Sequence, residues 1–159
     1  MTTTLEVQQI PCLSDNYGYL VHDAVSGLTA SIDTPDTGPI LQALEKKGWR
    51  LDFIFNTHHH DDHAGGNLAL KEKTGCEIIG PRADAGRIPG IDRQVGEGDS
   101  VTLGEWQFTV YDTPGHTRGH IVYHCQQAGV AFVGDTLFAL GCGRLFEGTP
   151  AQMWDSLQK

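Results

Sequence analysis

The chain has 159 residues, 39% of them hydrophobic and 19% charged, an ordinary globular composition that excludes wholesale disorder. Its length predicts one domain, residues 1–159, with a sizeable core. The formal net charge of -9, from 20 acids against 11 bases, disfavours nucleic acid and anionic membranes as partners. The four cysteines are scattered, which predicts reduced thiols rather than a disulfide framework. The sequence shows no leader pattern and no apolar window of membrane-spanning length, so we expect a cytoplasmic protein. We also expect it to be a monomer.

The first half of the chain predicts an antiparallel start followed by alternating helices and strands. Short apolar runs between polar breaks predict strands at residues 5–10, 17–22, 28–33, 51–55 and 76–80. Apolar residues on one face predict a helix over residues 37–47, which Gly48 would cap. A second helix is predicted over residues 67–73 and would stop at Gly75.

The second half predicts a further set of strands and a closing helix. Residues 81–100 are rich in Gly, Pro, Asp and Arg and predict a surface loop with little regular structure. Strands are predicted at residues 106–111, 120–125 and 131–133. Thr149 and Pro150 begin a predicted helix whose apolar face includes Met153 and Trp154. Two sets of strands with accompanying helices predict an α/β fold, an αββα sandwich.

One short run, residues 57–66, concentrates the chemistry-bearing side chains. Histidine occupies positions 58, 59, 60 and 63, and aspartate positions 61 and 62. Imidazole and carboxylate are ligands that suit Zn, Fe or Mn. Without a cation the acids would repel each other, whereas a divalent ion makes their crowding favourable. The run therefore predicts half of a two-metal site, with a solvated polar loop as the alternative.

Other polar segments follow later predicted strands and are expected to meet this run at one edge of the scaffold. They are Asp112 to His116, Gly134 to Thr136 and Gly141 to Arg144. In an extended segment, positions i and i+2 point the same way, so His58 and His60 can hold one ion while the residue between them points away. A turn at Asp62 and His63 lets these two serve a second ion, and Asp135 is the candidate bridging carboxylate.

These motifs resemble the metallo-β-lactamase superfamily and, within it, the glyoxalase II family of hydroxyacylglutathione hydrolases. The family patterns Thr-His-His-His-x-Asp-His-x-Gly-Gly, Thr-Pro-Gly-His-Thr, Gly-Asp-Thr-Leu-Phe and a Gly-Cys-Gly stretch occur at residues 57–66, 113–117, 134–138 and 141–149. The resemblance implies a metallo-β-lactamase-like αββα sandwich. It also implies a C-terminal helical substrate domain that is missing here, so we expect the domain 1–159 to be incomplete at its C-terminus.

The resemblance implies six metal ligands, three for the first ion, two for the second and one that bridges: His58, His60 and His116, then Asp62 and His63, then Asp135. Asp62 and Asp135 are also the implied catalytic residues. Arg144 and Phe146 match positions that contact the glutathione part of the substrate, where many members carry Lys and Tyr, and Phe lacks the hydroxyl donor. Two divalent ions are implied, with Zn the first expectation and Fe or Mn as alternatives. In the family, one further His completes the second ion from beyond the point where this chain ends.

The reaction implied is hydrolysis of the thioester S-D-lactoylglutathione to D-lactate and glutathione, the second step of methylglyoxal disposal. Two ions that share a water lower its pKa from about 15.7 towards neutrality and supply hydroxide. A thiolate leaves readily because the reference pKa of a thiol is about 8.5, so no dedicated general acid is required. Two alternatives remain, a mononuclear iron persulfide dioxygenase and a metal-binding fragment without activity. Residues 145–149 favour the hydrolase over the dioxygenase.

The remaining candidates are interpreted as structural or solvent-facing. The histidines that match no ligand position are His22, His59, His120 and His124, of which His120 is expected to support the site from behind. Asp61 is expected to be a solvated neighbour, and Cys142 has no adjacent base that would mark it as a nucleophile. The tryptophans, which are expected to pack in the core, are Trp49, Trp106 and Trp154.

Overall fold

The computed structural model describes residues 4–159, so the beginning of the N-terminal segment lies outside it. Its first sheet has six strands in the order β1-β2-β3-β4-β5-β6. These are β1 (Leu5–Cys12), β2 (Asn16–Asp23), β3 (Leu28–Ile32), β4 (Phe53–Phe55), β5 (Glu77–Pro81) and β6 (Arg93–Val95). The first three pair antiparallel, and the pairs from β3 to β6 are parallel. The predicted antiparallel start is therefore confirmed.

The second sheet has four antiparallel strands in the order β10-β9-β8-β7. They are β7 (Ser100–Leu103), β8 (Trp106–Asp112), β9 (Ile121–Cys125) and β10 (Val130–Phe132). The helices are α1 (Thr37–Lys47), α2 (Asp61–Ala64), α3 (Asn67–Thr74) and α4 (Pro150–Leu157), with a 3-10 helix at Arg82–Arg87. Among the described residues, no helix combines the length and apolar character needed to cross a bilayer.

The two sheets pack face to face around a core that is held by aromatic rings. The ring of Phe55 on β4 lies 5.8 Å from that of Phe108 on β8 and 5.4 Å from that of Tyr123 on β9. A second apolar cluster lies between the outer face of the first sheet and the helices α1 and α3, through side chains such as Ile40 and Leu70. Helix α4 lies beside the outer face of the second sheet. The predicted αββα sandwich is confirmed.

The predicted helix ends are also confirmed. Asp36 caps α1 by accepting a hydrogen bond from the backbone N–H of Gly38, and Gly48 ends the helix in the left-handed conformation with φ 69°. Thr149 caps α4 and forms a capping box with Gln152. These local signals are short-range in sequence, which explains why the sequence predicts them well.

Two sequence predictions are wrong. Residues 81–100 are not an irregular loop, because they contain the 3-10 helix and β6, which pairs with β5 and buries Val95. The turn-forming residues of this segment mask a short edge strand. Trp154 is 62% exposed rather than in the core, because α4 turns Met153 and Ser156 towards the body of the protein. The prediction of reduced thiols agrees with four free cysteines: Cys12, Cys76 and Cys125 are buried and Cys142 is exposed.

Candidate metal centre

The candidate centre lies where segments that follow β4, β8 and β10 meet. Strand β4 ends at Phe55, and His58 and His60 follow it in an extended segment that leads into α2. His116 follows β8, and Asp135 follows β10. The six side chains predicted as ligands thus come from three segments that are far apart in sequence.

The first group consists of His58, His60 and His116. One ring nitrogen from each lies within 4.8 Å of those of the other two. The Nε2 atom of His116 is 3.0 Å from Nδ1 of His60. His58 and His116 are buried, whereas His60 is partly exposed. The prediction that His58 and His60 point the same way, towards His116, is confirmed.

Hydrogen bonds determine which nitrogen of His58 is free. The Thr57 hydroxyl donates to the Asp33 carboxylate at 2.7 Å and lies 2.9 Å from Nδ1 of His58. Because the hydroxyl has one proton, already directed at Asp33, it accepts from Nδ1–H of His58. The lone pair of Nε2 is then free, and this buried atom has no hydrogen-bond partner among residues 4–159.

The same reasoning applies to His116. Its Nδ1 lies 2.6 Å from the carbonyl oxygen of Arg144, which can only accept, so Nδ1 carries the proton. The Nε2 lone pair therefore points to His60. Gly143 allows this approach, because a Cβ at that position would lie 2.8 Å from Nδ1 of His116 and 2.5 Å from the carbonyl oxygen of Asp135. The Gly-rich segment thus holds His116 in the orientation of a ligand.

The second group is arranged around His63. Its Nδ1 donates to Asp33 at 2.8 Å, and its Nε2 lies 3.1 Å from Oδ1 of Asp135 and 3.9 Å from Oδ2 of Asp62. The other oxygen of Asp135, Oδ2, lies 3.1 Å from Nε2 of His116. Asp135 therefore presents one carboxylate oxygen to each group. The Asp62 carboxylate is about half exposed and accepts from Asn16 at 2.9 Å.

Asp33 is close enough to His58 and His63 to be considered as a ligand itself. However, it already accepts from the backbone N–H and the hydroxyl of Thr57, each at 2.7 Å, and from His63. Both of its oxygens are thus used. Such a carboxylate orients a histidine ligand and raises its basicity rather than binding the ion itself.

The charge states of His58 and His60 match a site for a cation, whereas the neighbouring carboxylates favour the protonated form of His63. Burial and the neighbouring histidines hold the pKa of His58 well below its ordinary value, and the same causes lower the pKa of His60. Both are therefore neutral, as histidine ligands must be. Burial opposes the charged form of His63, but the carboxylates of Asp33 and Asp135 raise its pKa to about 10. Despite its burial, Asp135 has a pKa lowered by His116 and His63.

His120 supports the centre from behind, as predicted. It is fully buried, and burial lowers its pKa to about 3, so the ring is neutral. Its Nε2 accepts from the backbone N–H of Asp135 at 3.1 Å, and its Nδ1 lies within 3.1 Å of the hydroxyls of Thr113 and Thr136. Gly134 leaves space for this contact, since a Cβ there would lie 2.7 Å from Nε2 of His120.

The remaining predicted site residues surround this group. The Arg144 side chain is exposed while its carbonyl binds His116. Phe146 is 61% exposed, and its ring centroid lies 5.6 Å from that of His60 and 5.3 Å from that of His116. His59 points away from the ligand atoms towards Asp84, at 3.5 Å. Asp61 is exposed, which confirms the prediction of a solvated neighbour.

The donor set fits divalent metal ions. Ring nitrogens of His58, His60 and His116 converge to within 4.8 Å of one another, and the buried Nε2 of His58 has no hydrogen-bond partner among the described residues. Imidazole with carboxylate is the ligand chemistry of Zn, Fe and Mn.

Sequence reasoning missed Asp33 and Asn16. Asp33 follows β3 directly and is a non-glycine residue with φ 57°, a conformation that Asp tolerates better than most residues. Its position after a strand is the same signal that identified Asp135, so the rule could have found it. Nothing in the sequence marks Asn16, whose contact with Asp62 spans 46 positions.

The fold and the histidine-rich centre agree with the comparison to protein families. The family described as the metallo-beta-lactamase superfamily matches residues 17–158. The chain therefore belongs to the metallo-beta-lactamase superfamily, a family with His-rich divalent metal sites.

Within that superfamily, the chain is similar to curated proteins named hydroxyacylglutathione hydrolase. It is 57% identical over 155 residues to that of Maricaulis maris (strain MCS10), covering 98% of this chain and 60% of the relative. It is 60% identical over 159 residues to that of Brucella ovis (strain ATCC 25840 / 63/290 / NCTC 10512), covering 100% of this chain and 62% of the relative. The chain thus spans about three fifths of the length of these relatives.

A solved structure with the same fold is ETHE1 from Myxococcus xanthus. It superposes with a TM-score of 0.85 at 32% sequence identity, covering 97% of this chain and 68% of that one. The identity to the named hydrolases is considerably higher, at 57–60%.

Proposed function

We propose that this protein hydrolyses the thioester S-D-lactoylglutathione to D-lactate and glutathione, the second step of methylglyoxal detoxification. The observation that carries the proposal is Asp135, which presents one oxygen to His116 and the other to His63, each at 3.1 Å. This arrangement suits a carboxylate that bridges two ions. The identity of 57–60% to proteins named hydroxyacylglutathione hydrolase supports the choice of substrate.

In this proposal the ligands divide as the sequence predicted. His58, His60 and His116 would hold the first ion, Asp62 and His63 would hold the second, and Asp135 would be shared by both. Divalent ions held there would supply Lewis-acid activation of a water and of the thioester carbonyl. Zinc is the proposed metal, and elemental analysis of protein purified without added metal distinguishes it from iron and manganese.

The chain's own residues bind and orient the reactants. Asp62 accepts one hydrogen bond from Asn16 and is about half exposed, so its carboxylate is accessible to take a proton from the attacking water. The exposed Arg144 side chain offers a cation to the carboxylates of glutathione. The exposed ring of Phe146 packs against His60 and His116, where it is placed to contact the glutathione part of a bound substrate. The departing thiolate needs no general acid because the reference pKa of a thiol is about 8.5.

Thioester hydrolysis by the metal-loaded protein tests this proposal. We expect Asp62→Asn to lower kcat by roughly 100- to 10,000-fold, the range for a general base. The control is Asp61→Asn, which changes the exposed neighbour and should leave hydrolysis within about 2-fold of wild type. Steady-state rates with S-D-lactoylglutathione, together with metal content by elemental analysis, measure both effects.

Two results would contradict the assignment. One tightly held iron with oxygen consumption on a glutathione persulfide would favour the dioxygenase instead. If Asp61→Asn lowered kcat as much as Asp62→Asn does, the loss would not be specific to Asp62 and would contradict its role as general base. Assaying the 159-residue chain beside a full-length relative tests the remaining alternative, a fragment that binds metal without catalysis.

We also propose that the protein is cytoplasmic and monomeric. Four free thiols, three of them buried, support a reducing compartment. Cell fractionation tests the compartment, and a molecular mass of one chain in solution tests the monomeric state.

A further inference from the structure

A partly buried ionic network lies beside the candidate metal centre, and the proposed reaction does not use it. Arg87, at the end of the 3-10 helix, binds two carboxylates at once, and we call Arg87, Asp84 and Glu147 the Arg87 clamp. Its Nη2 donates to Oδ1 of Asp84 at 2.6 Å and to Oε2 of Glu147 at 2.9 Å, and its Nη1 also contacts Glu147. The Asp84 side chain is 4% exposed and that of Glu147 21%.

The carboxylates of the clamp hold the backbone of the segment that carries His116. Oε2 of Glu147 accepts from the N–H of Arg118 at 2.7 Å, and Oδ2 of Asp84 accepts from the N–H of Gly119 at 3.0 Å. The fit is close, because a Cβ on Gly119 would lie 2.3 Å from the Asp84 carboxylate. Both N–H groups belong to residues that lie between His116 and the supporting His120 along the chain. The clamp therefore fixes the backbone that places these two rings.

The clamp also faces the other ligand-bearing segment. His59, between the ligand residues His58 and His60, has its Nδ1 3.5 Å from Oδ2 of Asp84 and its Nε2 4.0 Å from Oε1 of Glu147. His59, which is not one of the proposed metal ligands, thus lies against the same two acids. Glu147 also belongs to the segment whose Arg144 carbonyl orients His116.

From these contacts we propose that Arg87 is a positioning residue for the metal centre. One guanidinium donates hydrogen bonds to two neighbouring carboxylates and reduces their mutual repulsion. These carboxylates hold the backbone N–H groups next to His116 and meet His59. Without the cation, the acids repel each other and the His116 segment moves relative to His58 and His60. Lysine cannot replace it fully, because a point charge on a flexible stem does not satisfy two carboxylates as a planar fork does. The proposal concerns metal affinity, so it does not depend on the substrate proposed above.

Zinc affinity of the purified chain, measured by competition with a chromophoric chelator, tests the proposal. We expect Arg87→Met to weaken binding of the tighter zinc ion by about 10- to 100-fold, as loss of an outer support of metal ligands does. Arg87→Lys should restore only part of the affinity. The matched control is Arg82→Met, which removes an exposed ion pair to Asp99 from the same 3-10 helix and should leave zinc affinity unchanged.

Thermal unfolding of the metal-free variants separates positioning from a merely structural role. If Arg87→Met lowers the melting temperature but keeps wild-type zinc affinity, Arg87 only stabilises the fold and the proposal is overturned. An equal loss of zinc affinity in the control Arg82→Met overturns the proposal as well. If Arg87→Met does not fold, Arg87→Lys decides, since weaker zinc binding than that of the wild type supports the proposal and wild-type affinity refutes it. A wild-type chain that binds no zinc would refute the metal centre itself, a separate and recognisable result.

Discussion

Asp33 shows how one side chain prepares several others for metal binding. It accepts two hydrogen bonds from Thr57 and one from His63, and through the Thr57 hydroxyl it determines which nitrogen of His58 is free. Two of the proposed ligands, His58 and His63, are thereby held in a fixed orientation before an ion binds. A carboxylate that binds no metal thus contributes to both groups of ligands.

Asp33→Asn tests this role with little steric change. Asn also tolerates the left-handed conformation at φ 57°, so backbone strain does not explain the outcome. The amide cannot accept as two carboxylate oxygens do, and we expect metal affinity to fall by about 10- to 100-fold. Elemental analysis after dialysis against a weak chelator measures the loss. Retention of the wild-type metal content would show that His63 keeps its orientation without the Asp33 charge.

At the scale of elements, helix α4 supports the turn that carries His116. Met153 packs against Gly115, and the Ser156 hydroxyl donates to the carbonyl oxygen of Pro114 at 2.8 Å. Gly115 has φ 153°, and a Cβ there would lie 2.9–3.2 Å from atoms of Met153. The turn therefore needs glycine both for its backbone conformation and for the close approach of α4.

We expect Gly115→Ala to destabilise the fold by about 1–3 kcal/mol, the cost of a strained backbone conformation. The control is Gly86→Ala, because a Cβ at Gly86 meets no atom within 4 Å and its φ is not in the left-handed region. That change should be neutral or stabilising by up to about 1 kcal/mol. Urea unfolding of both variants gives the two free energies. Equal stability of the two variants would mean that α4 yields to the added methyl group.

At the scale of the whole molecule, hydrogen bonds join the two sheets at the end that carries the candidate metal centre. The Tyr123 hydroxyl, on the second sheet, donates at 2.8 Å to the carbonyl oxygen of Asn56, which follows the first sheet. The Arg87 clamp adds a second connection, since Arg87 follows β5 of the first sheet and Glu147 lies beyond β10 of the second. The ligand-bearing segments are thus fixed on a shared scaffold.

The clamp also predicts how stability depends on pH. Hydrogen bonds from Arg87 hold the pKa of Glu147 at about 2, below the ordinary 4.5. Because the folded-state pKa is lowered, this stabilisation is fully present above the unfolded pKa and is lost as pH falls through the folded value. We expect the metal-free wild type to lose more stability between about pH 5 and about pH 2 than Glu147→Gln does.

Urea unfolding across that range measures the difference, with Glu72→Gln as the control because Glu72 is exposed. The stability curves of the wild type and Glu147→Gln should converge towards low pH. The curve of Glu72→Gln should remain parallel to that of the wild type. Parallel curves for Glu147→Gln would mean that its charge does not stabilise the folded state.

The sequence by itself determined most of the elements, the layers and the proposed ligands. Strand periodicity and helix caps depend on neighbours within a few residues, and the proposed ligands His58 and His60 obey the i, i+2 rule of an extended segment. The motifs were long enough to indicate the superfamily, which the match over residues 17–158 confirms. The short strand Arg93–Val95 was missed because three residues among turn formers carry too weak a periodic signal.

Only the tertiary structure decided how those ligands are oriented. Asp33 meets His63 across 30 positions of sequence, and Arg87 meets Glu147 across 60. A pattern reports a residue's neighbours along the chain, but a tautomer or a bridged pair of carboxylates depends on partners that folding brings together. For the same reason, the exposure of Trp154 and the place of His59 beside the Arg87 clamp could not be derived from spacing.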